Sequence, residues 1–190
     1  MKKILFLFLA ACFFFSCEKE TIVIPQQHAG RTVLAFFWAD NSLNSSLRDN
    51  IQTMMQGLQA MKDSAALLVY WDGEASDISW PEPCIVEYVT NGQGGINSLS
   101  KGTIDAMMAD KNTSIYDLIG IGNIRKKYPP QTSTEKTVMQ TVIGDMMSVY
   151  PSESYGIIFG SHGSGWLPTI TGTRSIGQDG GRYSSDTALI

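Results

Sequence analysis

The sequence predicts an α/β fold, with an open, mostly parallel sheet flanked by helices. Three observations lead there. The runs Thr32–Ala39, Ala65–Trp71 and Tyr155–Gly160 are short, apolar and closed by turn-forming residues, as buried strands are. Between the first two runs, apolar residues recur at spacings of three and four, the period of a helix with one buried face. Strand, helix and strand in that order require a crossover, which in a parallel sheet is right-handed.

Composition agrees. Of 190 residues, 43% are hydrophobic and 17% charged, ordinary for one globular domain with a sizeable core. A net charge of −4 argues against a nucleic-acid partner, which needs a basic face. The 18 glycines cluster late and suggest loops built around a site.

The chain opens with Lys2-Lys3 and the apolar stretch Ile4–Phe15, too short to span a bilayer comfortably, then Ser16-Cys17 and the charged Glu18-Lys19-Glu20. This reads as a lipoprotein signal over residues 1–16, with Cys17 as the lipidation site. Cys12 competes: Leu9-Ala10-Ala11 before it fits a lipobox better in letters, but the apolar stretch runs on through Phe13-Phe14-Phe15. The expected address is outside the cytoplasm, anchored by acyl chains to the bacterial cell envelope, at its outer membrane. Residues 17–30 read as a polar tether and 31–190 as the folded part. Only Cys84 remains in that part, so no internal disulfide forms there.

From Arg31 the elements follow in order. Thr32–Ala39 is a central buried strand. Asp40-Asn41-Ser42 is a turn and helix cap. A helix runs over Leu43–Lys62 with Leu43, Leu47, Ile51, Met54, Leu58 and Met61 on its apolar face. The strand Ala65–Trp71 closes at Asp72-Gly73. Ser76–Pro83 is a loop, and Cys84–Thr90 a third strand turning at Asn91-Gly92. Thr103–Met108 and Thr113–Ile121 are short helices. After Pro129-Pro130, Thr132 and Glu135 form a capping box, opening a helix that carries Val138, Met139, Val142, Ile143, Met146 and Val149. Pro151 ends it, and Tyr155–Gly160 follows as a buried strand.

Chemistry in open α/β sheets gathers at the carboxyl ends of strands. His162 stands at such an end, and imidazole is the side chain best suited to move protons near neutral pH. Gly163 lets its backbone N–H approach a ligand. Asp40 and Ser161 are candidate cleft residues, whereas Asp72 reads as a turn residue. Ser161 does not fit a serine-hydrolase elbow, because the first glycine of Gly-x-Ser-x-Gly is displaced. Cys84 begins a strand with no basic neighbour in sequence to lower its pKa, and reads as a small buried hydrophobe. His28 falls in the tether. Asp179-Gly180-Gly181 lacks a calcium-ligand spacing, so neither a metal nor another cofactor is expected.

These residues carry a resemblance. His162-Gly163-Ser164-Gly165-Trp166 after an aliphatic strand, Trp38-Ala39-Asp40-Asn41-Ser42-Leu43 after the first strand, the Leu67–Gly73 strand and Tyr150-Pro151 together resemble the clostripain-like cysteine peptidases. Those peptidases share the fold of caspases, gingipains and legumain. The resemblance covers residues 31 to 182. It implies a caspase-like sheet, with His162 as acid and base and the Gly163 N–H as an oxyanion donor. It also implies a cysteine nucleophile at the end of the next strand, and a peptide or protein substrate cut after Arg or Lys. Some members are calcium-dependent. The cysteine motif is absent before Ile190. The expectation is therefore a sheet incomplete at its carboxyl end, no nucleophile in this chain, and no hydrolysis by it alone. The alternative is a non-catalytic surface lipoprotein that binds peptides or protein partners.

Overall fold

The computed structural model describes residues 29–73, 82–110, 114–162, 177–179 and 182–183. Its elements are β1 (Ala29–Trp38), α1 (Asn44–Ala60), β2 (Ala65–Asp72), β3 (Cys84–Val89), α2 (Lys101–Ala109), α3 (Ile115–Ile121), β4 (Asn123–Lys127), α4 (Lys136–Val149) and β5 (Ser152–Gly160). A separate two-stranded ladder joins β6 (Gln178–Asp179) to β7 (Arg182–Tyr183). Residues 1–28, with Cys12, Cys17 and His28, and Gly163 lie outside the described residues.

Five strands form one sheet in the order β4-β3-β2-β1-β5. β1 is parallel to both β2 and β5. β3 is antiparallel to β2, and β4 to β3. Four strands therefore share one direction and β3 is the reversed one, so the sheet is mixed with a parallel majority.

Side chains alternate across the sheet, and each face meets its own helices. On one face Ala35, Phe37, Val69, Trp71 and Val86 pack with Leu47, Ile51, Met55 and Leu58 of α1 and with Ile104, Leu118 and Ile119 of α2 and α3. On the other, Leu34, Phe36, Leu68, Tyr70 and Ile85 pack with Met139, Val142 and Met146 of α4. β1 and β2 are apolar on both faces because both faces are covered.

Several local expectations are corrected. β1 starts at Ala29, slightly ahead of the expected boundary at Arg31. On α1 the buried methionine is Met55 rather than Met54, and Met61 is a C-cap residue, 40% exposed. Ser42 does not cap α1: the N-cap position is Leu43, without a side-chain hydrogen bond. The Thr132–Glu135 capping box does not form either. Glu135 is itself the N-cap of α4, and its N–H donates to the Thr132 carbonyl in a turn. The cause is Ser133, whose hydroxyl binds the buried Asp72 carboxylate and stands 2.7 Å from the Tyr70 hydroxyl. That docking holds the segment against the sheet before the helix begins.

β4 was not expected, since Asn123-Ile124-Arg125-Lys126-Lys127 offers no apolar alternation and is exposed throughout. The final strand differs most. It starts at Ser152, and it lies at the edge of the sheet rather than inside it, with Ile157 45% and Ile158 44% exposed. Its apolar sequence suits burial on both faces, but among the described residues only β1 pairs with it.

Candidate active site at the carboxyl end of the parallel strands

Register brings the strand ends together. Trp38 pairs with Asp72, and Phe37 pairs with Gly160. Asp40, Asp72, Ser161 and His162 thus share one end of the sheet. Gly160 makes this possible: a Cβ there would fall 2.6 Å from the Phe37 ring and 2.7 Å from Leu47, so only glycine lets β5 close onto β1 and α1. Beside it, Phe159 stacks on Trp38 with ring centroids 5.5 Å apart.

Asn41 ties the two strand ends. Its Nδ2 donates to the Trp38 carbonyl at 2.7 Å and to Ser161 Oγ at 3.3 Å, while its Oδ1 accepts the Leu43 N–H at 2.9 Å. Next to this clamp, Ser42 Oγ stands 2.9 Å from Nε2 of His162. His162 is half-buried, and its Nδ1 has no hydrogen-bond partner among the described residues. Among the described residues, the imidazole is therefore held at Nε2 alone. Asp40 is half-buried in the turn that precedes Asn41.

Asp72 is a buried anchor. It accepts from Ser133, and Gln131 Nε2 donates to the Tyr70 hydroxyl at 2.9 Å, so the loop before α4 is fastened to the end of β2. This fits the structural role expected for it.

Cys84 is the remaining candidate for a nucleophile. Because β3 is reversed, its first residue lies opposite Trp71, at the same end of the sheet as His162. Two strands still separate β3 from β5. At a spacing of ~4.8 Å per strand, that is about 14 Å. The thiol is 1% exposed, and burial pushes its pKa up to about 11. It is a protonated core side chain, as expected. Among the described residues no set of three or more His, Cys, Asp or Glu side chains is placed to hold a metal ion.

Sequence reasoning missed Asn41 and Ser42. Both stand in the Asp-Asn-Ser turn, but a serine before a helix reads first as a cap. Its actual partner is 120 residues away.

Comparison with known proteins agrees with the fold. Residues 35–187 match the model of the clostripain family. A B. fragilis cysteine protease aligns at 27% identity and a TM-score of 0.52, covering 74% of this chain and 95% of that one. A secreted C11 cysteine protease from Bacteroides thetaiotaomicron, solved with an irreversible peptide inhibitor, aligns at 26% and 0.51, covering 85% of this chain and 38% of that one. An inactive zymogen C11 protease from Parabacteroides distasonis aligns at 24% and 0.53, covering 78% and 35%, and speaks for the fold alone. The chain thus spans nearly all of one of these structures and little more than a third of the other two. Among curated proteins no match is found.

Proposed function

The chain belongs to the clostripain family, and from that premise we propose that it forms the histidine-bearing part of a cysteine endopeptidase that cleaves after Arg or Lys. One observation carries the reading. His162 leaves the carboxyl end of β5 with its Nε2 held by Ser42 and its other nitrogen without a partner among the described residues. In this reading His162 takes the proton of a thiol, the sulfur attacks a peptide carbonyl, and the imidazolium returns the proton to the departing amine. Gly163 supplies an oxyanion N–H, and Asp40 and Ser161 border the cleft.

The nucleophile in this proposal is not Cys84. It stands on a further strand that pairs along the open edge of β5, supplied from outside these 190 residues. The exposed Ile157 and Ile158 support this, since such side chains are covered when a sheet continues. The test uses arginyl and lysyl fluorogenic peptides. The chain alone should release no fluorophore. The full-length gene product should, and His162→Ala should abolish that activity with folding intact. Hydrolysis by the 190-residue chain would return Cys84 to consideration. Undiminished cleavage by the His162→Ala protein would remove the histidine from the mechanism.

A second reading, a lipid-anchored protein that binds peptides without cutting them, is favoured by one observation: the described cysteine is remote from His162. A full-length sequence without a cysteine beyond β5 would decide for it. Both readings carry the proposed leader at 1–16, lipidated Cys17 and tether at 17–30, leading to a folded part over 31–190 at the outer membrane. Mass spectrometry of the mature N-terminus should find diacylglycerol on Cys17. Lipid on Cys12 would move the junction.

A further inference from the structure

We propose that Ser42 is a positioning residue that selects the working nitrogen of His162: it holds Nε2–H and leaves Nδ1 to carry the proton. The inference rests on the peptidase reading above for the identity of the proton's source. It begins with an unusual division of labour in the turn after β1. The backbone work expected of a cap is done by Asn41, which takes the Leu43 N–H and ties Trp38 to Ser161. Ser42 is exposed and does not cap the helix, and its hydroxyl stands 2.9 Å from Nε2 of a ring just past the end of β5. Asn41 sets the spacing of the two strand ends, and Ser42 uses that spacing to orient the ring.

A hydroxyl can donate to a neutral imidazole or accept from it. Only acceptance survives the whole reaction. When Nδ1 takes the thiol proton, sulfur becomes thiolate and the ring becomes imidazolium, with N–H groups on both nitrogens. Ser42 Oγ still accepts from Nε2–H in that state, and the bond strengthens because its donor is now charged. A hydroxyl that had been donating to Nε2 would have to rotate at that moment. The sulfur then bonds to the peptide carbonyl carbon. As the carbon–nitrogen bond breaks, Nδ1–H passes its proton to the leaving amine, and the ring returns to the Nε2–H tautomer. Nδ1 is the nitrogen without a partner among the described residues, as this cycle requires.

The experiment is long-range proton–nitrogen correlation NMR on the 15N-labelled 190-residue chain. The sequence has two histidines, and His28→Gln assigns the His162 ring. The expected result is a neutral His162 protonated on Nε2, with an N–H signal slow enough in solvent exchange to be seen. Ser42→Ala should speed that exchange by about tenfold, the loss of one hydrogen bond, while Ser42→Thr should restore it. A proton found on Nδ1 overturns the proposal, as does a Ser42→Ala ring indistinguishable from wild type. If Ser42→Ala does not fold, the wild-type tautomer and the Ser42→Thr spectrum still decide. None of these spectra depends on cleavage. A ring that behaves as stated in a protein whose His162→Ala variant still cleaves would sink the peptidase reading alone.

Discussion

The two edges of the sheet are unlike. β4 exposes every residue, and its lysines are engaged: Lys126 Nζ stands 2.5 Å from Asp145 and 5.2 Å above the Tyr128 ring, and Lys127 pairs with Glu82 at 3.4 Å. Charges along an edge strand discourage further pairing, so this is a finished boundary. β5 has the opposite character. Ile157 and Ile158 point to opposite faces, and Ile158 opens onto an apolar hollow of about 320 Å³ beside Val33, Met54, Leu58 and Met61. The difference teaches that an edge is defined by its side chains as well as by its place in the sheet. β4 is written as an edge, and β5 is written as an interior strand.

The comparison can be broken most forcefully at Gly160. An alanine Cβ would lie 2.6 Å from the Phe37 ring and 2.7 Å from Leu47 Cδ2. Gly160→Ala should cost about 1–3 kcal/mol in urea unfolding, the usual range for overpacking. An unchanged midpoint would mean that β5 is loosely seated. A comparable effect is expected from Cys84, on the sealed side of the sheet. Burial lifts its folded pKa to about 11, above the ordinary thiol value of 9.0. The unfolded chain therefore loses this proton first as pH rises. The stability contributed by the buried thiol is full below pH 9 and falls until pH 11, by about 3 kcal/mol. Cys84→Ala should lack that decline relative to wild type in denaturation curves across the range. Iodoacetamide at pH 8 should label native Cys84 slowly.

The open edge makes a prediction about association. The chain should self-associate with rising concentration, and replacing Ile157 and Ile158 with lysine should weaken this by about 1–2 kcal/mol, part of the apolar burial of two isoleucines. Sedimentation velocity reads the outcome, and identical profiles for both proteins would refute an interior-type edge. The smallest effect belongs to β4. Lys126→Ala should cost about 0.5–1 kcal/mol, the usual worth of a half-exposed ion pair and a cation–π contact. A larger loss would show that the charged edge stabilises the fold as well as closing it.

What was legible in the sequence follows the same division. β1, β2 and α1 were readable because all three are governed by burial that the chain itself supplies, either as continuous apolar runs or as a helical period. β4 was not, since an edge strand with charged side chains carries no alternation. The exposure of β5 was also hidden. Its residues report what it is suited to, and neighbouring strands decide what it receives. At the site, His162 was found from its strand end and flanking glycines. Ser42 was not, because one hydroxyl can cap a helix or hold a ring, and only tertiary contact chooses. The capping box at Thr132 failed for a related reason, since Ser133 is recruited by Asp72 from across the fold.

The contact between Ser42 and His162 joins positions 120 residues apart. Local units such as β1-α1-β2 close short loops and assemble early, whereas distant pairings wait on slow chain closure. As the chain folds, then, Ser42 cannot hold the ring until β5 has docked on β1. The orientation of this imidazole is therefore a late product of folding, a report that the sheet has closed rather than a property of the turn that bears Ser42.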